Sequence, residues 1–254
     1  MRRVLRTHAG RPTLAKVRGP LVEPSCQRVR WWAVLSASAA PLLLAGGWTL
    51  AAGRQPVGYD SIRDTISSLA AKGATDRWIM TTALAGVGAC YVVSGLGLQP
   101  ARRRGRTLLV GGGVATMLVA AFPQPARGNS VAHTVTATIA FTALGLWPAL
   151  AACHRSWVPL LERGISATAT LTMLGLLVWF VLEAHGSHRG LAERAAAFAE
   201  ALWPLLVVIS AMASTPAPAP ASGSSAPDSG EPMARSLTTA VTPRSSDNDV
   251  RIDS

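Results

Sequence analysis

Cysteine and charged residues are both scarce in this sequence. It has three cysteines, Cys26, Cys90 and Cys153, an odd number without metal-ligand spacing, which argues against a disulfide framework and a cysteine-based metal site. Charged residues make up 15% of the 254 residues and hydrophobic residues 49%. This balance is unusual for a soluble domain of such length and indicates another class of protein.

Signatures of nucleotide, cofactor and catalytic sites are also missing. The isolated Gly-x-Gly patterns at Gly86 and Gly95 follow no predicted strand, so they indicate helix packing rather than nucleotide binding. No phosphate-binding loop with its lysine occurs in the sequence. We therefore expect no cofactor and favour a non-enzymatic protein.

Long hydrophobic runs are abundant. About 20 helical residues cross a hydrocarbon core of about 30 Å, and six runs approach this length, at residues 31–52, 78–98, 106–122, 131–152, 165–183 and 196–213. The sequence therefore predicts an all-α integral membrane protein with six transmembrane helices in residues 31–213. Residues 1–30 and 214–254 lack apolar periodicity, and we expect them to be disordered tails.

Of the 24 basic residues behind the net charge of +11, all but Arg106, at the start of the third run, lie outside the hydrophobic runs. This distribution excludes nucleic acid as the expected partner and favours membrane lipids. With the amino terminus inside, 17 basic residues lie on the inner side and 7 on the outer side, although the loops alone hold six and seven. The density of basic residues along the loops decides the orientation, because Arg102, Arg103, Arg104 and Arg106 lie close together in one short inner loop. We expect a protein of the cell membrane with both termini in the cytoplasm.

Small residues cluster on the second and third predicted spans. The second span carries Ala85, Gly86, Gly88 and Ala89, and the third carries Gly111, Gly112, Gly113 and Ala115. Small faces let helix backbones approach closely, so these two spans are expected to pack in the centre of the helix bundle. The alternative is that small residues reflect only the overall composition.

Polar residues concentrate in the loops and span ends on the predicted outer side. In the first outer loop, Ile62, Ile66 and Leu69 recur at helical spacing, which predicts a short interfacial helix with Asp60 and Arg63 on its polar face. Ser61 and Asp64 match a capping box for this helix.

Four further polar residues complete the candidate binding set on this side: His133, Glu183, Glu193 and Glu200. Glu193 and Glu200 are seven residues apart and so share one helix face. A carboxylate at the depth of Glu200 needs a partner, and we expect Arg63 to supply it, because a guanidinium bonds a carboxylate with two parallel hydrogen bonds. The cluster predicts a site for a lipid headgroup or a small solute.

Two other functions remain open from the sequence. A membrane-embedded hydrolase would use His133, His185 and His188 as metal ligands with a carboxylate such as Asp60. A small-solute transporter is compatible with six spans and with Pro148 and Pro204 inside them, although no internal repeat is visible. Protein partners cannot be inferred.

Several short motifs resemble a known bacterial family. They are Tyr59-Asp60 through Arg63, Ile66-Ser67, Leu69-Ala70, Trp78, Phe122-Pro123, His133, Glu193-Arg194 and Trp203-Pro204. Over residues 31–213 the sequence resembles the multi-pass membrane-protein family catalogued as domain of unknown function 998. The resemblance implies a membrane-spanning fold and no particular activity.

Overall fold

The structure is a computed structural model that describes residues 29–128, 130–154 and 156–214. The two predicted tails, and with them Cys26, lie almost wholly outside these residues. Cys90 and Cys153, which are described, are free thiols.

The described chain is helical, as the hydrophobic runs predict. Its elements are α1 Trp31–Ala52, α2 Ile66–Leu69, α3 Trp78–Gly97, α4 Arg103–Ala121, α5 Val131–Ala151, a 3-10 helix Pro159–Leu161, α6 Arg163–Leu182 and α7 Arg189–Ala213. Within the described ranges no strand forms, and the one isolated bridge joins Cys153 and Glu162. The predicted all-α fold is confirmed.

Five helices are long and apolar enough to cross a membrane: α1, α3, α5, α6 and α7. The chain therefore has the character of a multi-pass membrane protein. The third predicted span corresponds to α4, which is helical but is not among these five. It begins at Arg103 rather than at residue 106, so three arginines occupy its first turn.

The long helices form a closed ring in chain order. Each of α1, α3, α4, α5, α6 and α7 packs against the next, and α7 returns to α1. Three connections meet at one end, which we call the α2 end, because Lys72 N donates to Gln124 O at 2.9 Å and Leu191 N donates to Ile62 O at 2.9 Å. At the opposite end, Arg102 N donates to Ala151 O at 3.1 Å.

Glycine allows a close helix contact between α3 and α4. A Cβ added at Gly88 would lie 2.6 Å from Gly113 O, and one added at Gly113 would lie 2.6 Å from Gly88 O. The two predicted spans do pack against each other, and these two glycines allow the contact, but the helices are neighbours in the ring and do not lie in its centre. Gly111, by contrast, faces open space.

The predicted interfacial helix is much shorter than the hydrophobic spacing suggests. Only Ile66–Leu69 is helical, and Thr65 caps it by accepting a hydrogen bond from Ser68 N at 3.1 Å. The predicted capping box between Ser61 and Asp64 is wrong, because the Asp64 carboxylate accepts a hydrogen bond from the backbone N of Asp60, at 2.9 Å, and not from that of Ser61. Residues 59–64 form turns instead, because local side-chain bonds to the backbone compete with helix formation.

Candidate functional site

The α1–α3 loop is attached to α7 by Arg194, a buried arginine. Its guanidinium donates to the carbonyl oxygens of Ser61 at 2.6 Å, Asp64 at 2.7 Å and Gly190 at 3.0 Å, and to the Tyr59 hydroxyl at 2.6 Å. These four bonds occupy the guanidinium, and its charge also interacts with the neighbouring Glu193 carboxylate, so Arg194 has a structural role.

Glu193, the preceding residue, holds α2 at the same place. Its carboxylate accepts from Ile66 N and from the Ser67 hydroxyl, the latter at 2.8 Å. Acceptance at the first amide of a helix satisfies a donor that has no intrahelical partner. Close approach is possible because residue 190 is glycine: a Cβ there would overlap the Asp64 carbonyl oxygen.

A peripheral cavity of about 280 Å³ opens between α5, α6 and α7 at the α2 end. Its walls combine aromatic and aliphatic surface, from Phe141, Leu177 and Phe180, with a small set of polar groups. The polar side chains are those of Thr65, Ser67, Gln124, His133, Thr134, Thr138, Arg189 and Glu193. Such a mixture is typical of sites that bind organic ligands.

Two polar groups in the peripheral cavity have unused bonding capacity. Arg189 Nε is buried and has no hydrogen-bond partner among the residues that the structure describes. His133 is 3% exposed, and its Nδ1 lies 3.0 Å from Phe122 O. Since a carbonyl can only accept, Nδ1 carries the proton, and in the neutral ring Nε2 is an acceptor.

A second, central cavity of about 60 Å³ lies deeper in the ring. Its walls are mostly apolar, and Glu200, Tyr91 and Thr116 add polar atoms. Glu200 is 2% exposed, and its Oε1 has no hydrogen-bond partner within the described ranges. The two cavities share four lining residues: Ser67, Ala137, Phe141 and Glu193.

The predicted Arg63–Glu200 ion pair is wrong. Arg63 is exposed on the loop surface, whereas Glu200 is buried. The error lies in the start of the last helix, which the sequence places near residue 196. Because α7 begins at Arg189, Glu200 lies about 16 Å along the helix from its start, beyond the reach of a side chain on the surface loop.

The structure brings together three of the six predicted binding residues. His133 and Glu193 line the peripheral cavity, and Glu193 and Glu200 line the central one. The remaining three lie outside both cavities, and two of them have local roles. Asp60 Oδ1 accepts from Ile62 N at 2.8 Å, and Glu183 Oε2 accepts from His188 N at 3.1 Å.

The metal-site alternative has no support in the geometry. His185 and His188 are exposed in the α6–α7 turn, while His133 is buried. Throughout the described part of the chain, no group of three His, Cys, Asp or Glu side chains is close enough to hold a metal ion.

Sequence reasoning missed Arg189 and Tyr91 as site residues. Arg189, Glu193 and Glu200 are four and seven residues apart, which places all three on one face of a helix, and this spacing was available once the helix was extended to Arg189. Tyr91 is the one tyrosine within a predicted span, and a buried tyrosine hydroxyl usually has a polar neighbour.

Comparison with known proteins gives one match. No curated protein and no solved structure is similar enough to match. A family model described as protein of unknown function (DUF998) matches residues 38–210, which include α1 from its third turn, both cavities and nearly all of α7. The chain therefore belongs to this family of proteins of unknown function, DUF998.

Proposed function

We propose that this chain is a six-span protein of the cell membrane whose peripheral cavity binds the headgroup of an aminoalkyl phospholipid. In this proposal α4 is the sixth span. It has 19 residues, about 28 Å of helix, and it packs between α3 and α5, both of which are apolar enough to span. Its arginines stand at one end, where they reach the headgroups.

Orientation follows from the same arginines. Arg102, Arg103 and Arg104 are exposed at the end opposite to the α2 end, and dense basic clusters favour the cytoplasmic side. Both termini then lie in the cytoplasm, and the α2 end with its cavities lies outside.

The observation that carries the headgroup proposal is the buried Arg189 Nε without a partner in the peripheral cavity. A guanidinium in such surroundings needs an acceptor, and the oxygens of a phosphate fit its fork of donors. Leu177, Phe180 and Val181 also line the cavity, and their apolar surface suits the hydrocarbon part of a lipid.

An amine adjacent to the phosphate satisfies the other polar groups. His133 Nε2 is an acceptor, and Glu193 is an acid four residues from Arg189, about 6 Å along the helix. Arg189 and Glu193 form no ion pair with each other in the described structure, so each charge can meet its complement on a zwitterionic ligand. An ethanolamine phosphate carries both a phosphate, which can bind Arg189, and an amine, which can bind His133 and Glu193.

The test compares lipids that differ in the headgroup alone. The full chain in detergent is titrated with short-chain phosphatidylethanolamine, phosphatidylcholine and phosphatidylglycerol, and the thermal midpoint is followed. Phosphatidylethanolamine is expected to stabilise with at least tenfold higher affinity, because phosphatidylcholine lacks an N–H donor and phosphatidylglycerol lacks the amine. Free phosphoethanolamine is a fourth ligand, and equal affinity for it would identify a solute site rather than a lipid site.

Two variants complete the test. Arg189→Gln should lower the affinity for phosphatidylethanolamine at least tenfold, while Arg127→Gln, on the exposed α4–α5 connection, should leave it unchanged. Equal responses to all three lipids, or an unchanged Arg189→Gln protein, would refute the proposal.

A further inference from the structure

The central cavity contains a carboxyl group for which the protein offers no cation. Glu200 lines it together with Tyr91 and Thr116. Lys, Arg and His are absent from the lining residues, and Glu200 Oε1 has no hydrogen-bond partner in the described chain. Buried charged groups in proteins are paired or bind ions, and an unpaired carboxyl group is protonated instead. An ionised Glu200 therefore needs a cationic ligand.

The walls restrict what this ligand can be. Metal cations such as Ca²⁺ and Mg²⁺ require about six or more oxygen ligands. In the described part of the chain, no group of three His, Cys, Asp or Glu side chains is close enough to hold such an ion, and the lining residues include two carboxylates, Glu193 and Glu200. The remaining surface is aliphatic and aromatic.

We infer that the central cavity is a binding site for a small ammonium cation, with Glu200 as its counter-ion. The N–H donors of such a cation satisfy the Glu200 carboxylate, and its positive charge is attracted to aromatic rings. Tyr91 and Phe141 both line this cavity. A methyl or ethyl substituent lies against the aliphatic walls. The inference does not rest on the headgroup proposal.

Cavity size sets the upper limit of the ligand. One water-sized group occupies roughly 10–15 Å³ on the same scale, so a cavity of about 60 Å³ holds about four heavy atoms. Ammonium, methylammonium and ethylammonium fit, and tetraethylammonium does not. The four residues shared with the peripheral cavity lie on the side from which the cation enters.

Equilibrium dialysis with radiolabelled methylammonium tests the site in the full-length protein in detergent, at constant ionic strength with potassium chloride. The wild-type protein is expected to bind it saturably, and unlabelled ethylammonium should compete whereas tetraethylammonium should not. Glu200→Gln should lower the affinity at least thirtyfold. Glu183→Gln, an acid outside both cavities, is the matched control and should bind like wild type.

A second variant keeps the Glu200 carboxylate and reduces the volume of the central cavity. Ala140 lines the cavity from α5, and Ala140→Val adds two methyl groups there. Binding of ethylammonium should fall at least tenfold while that of ammonium changes less, and this result holds even if the Glu200→Gln protein does not fold. No saturable binding to wild type, equal binding by Glu200→Gln, or an unchanged affinity of Ala140→Val for ethylammonium would each overturn the inference.

The two proposals fail separately. If the ammonium site is right and the headgroup site wrong, Arg189→Gln binds methylammonium normally and no lipid is preferred. If the reverse holds, Glu200→Gln retains the phosphatidylethanolamine response.

Discussion

Arg194 shows how a single buried arginine can determine the shape of a loop. The residues from Tyr59 to Asp64 have little regular structure of their own, and three of the guanidinium bonds go to this segment. The ring of Trp48 also lies under Arg194, with 6.0 Å between Cζ and the ring centroid, an arrangement that is favourable for a cation. The planar shape of the guanidinium is needed here, because its N–H donors must point at several fixed oxygen acceptors at the same time.

Arg194→Lys is predicted to destabilise the protein by about 1.5–3 kcal/mol, the range for hydrogen bonds to charged groups. An ammonium retains the charge but cannot reach Ser61, Asp64 and Tyr59 together. The measurement is the thermal or denaturant midpoint in detergent. Arg127→Lys, an exposed arginine on another connection, is the control, and equal midpoints for the two variants would contradict the role assigned to Arg194.

At the scale of helices, the contact between α3 and α4 depends on the absence of side chains. Gly88 and Gly113 face each other, and Tyr91 Cβ lies 2.9 Å from the position of an added Gly113 Cβ. Helices that approach this closely gain backbone packing. The end of α3 is held by α4 as well, since the Arg106 guanidinium donates to Gly95 O at 2.8 Å and to Gln99 Oε1 at 2.9 Å.

Gly113→Ala is predicted to lower the free energy of unfolding by about 1–3 kcal/mol, as overpacking in a dense core does. The added methyl group would meet the backbone of α3, which cannot move without separating the two helices. Gly111→Ala is the matched control two residues away on the same helix. It faces open space and should cause little or no loss. If both variants unfold at the wild-type midpoint, the glycine contact does not hold the helices together.

For the whole molecule, the ring arrangement makes the position of α4 decisive. If α4 crosses the membrane, the connections at Ser61, Arg127 and Ser187 all lie on one side. If α4 does not cross, the chain has an odd number of spans, and these connections cannot all share one side. The sidedness of a few exposed residues therefore tests both the number of spans and the orientation.

Single cysteines at Ser61, Arg127 and Ser187 are predicted to react with an impermeant maleimide added to intact cells. One at Arg104 is predicted not to react until the membrane is opened. The background lacks Cys26, Cys90 and Cys153, and all four test positions are exposed. Gly105 is unsuitable as the inner position because a side chain there would overlap the backbone of Ala151. Labelling at Arg104 alone would show that the orientation is the reverse of the one proposed. Labelling at Ser61 but not at Arg127 would show that α4 does not cross the membrane.

The sequence by itself determined the helical class, the existence of five spans, although not the start of the last one, and the close packing of the glycine-rich helices. It could do so because apolar runs of span length have few alternative structures, since every backbone group in hydrocarbon must be bonded internally. Small residues at helix spacing identify a packing face for the same local reason. The resemblance to the DUF998 family, based on Glu193-Arg194 and the other short motifs, was also visible in the sequence, and the family match confirms it.

Only the tertiary structure decided which polar residues meet. Periodicity placed Glu193 and Glu200 on one face, but their environments differ: α2 provides donors to Glu193, and the central cavity provides none to Glu200 Oε1. The partner of a polar residue depends on where distant segments turn, and the turn at residues 59–64 is set by Arg194, which is 130 to 135 residues away along the chain from the groups it bonds there. Local pattern contains no information on such a contact, because the energy that fixes it comes from the packed ring of helices.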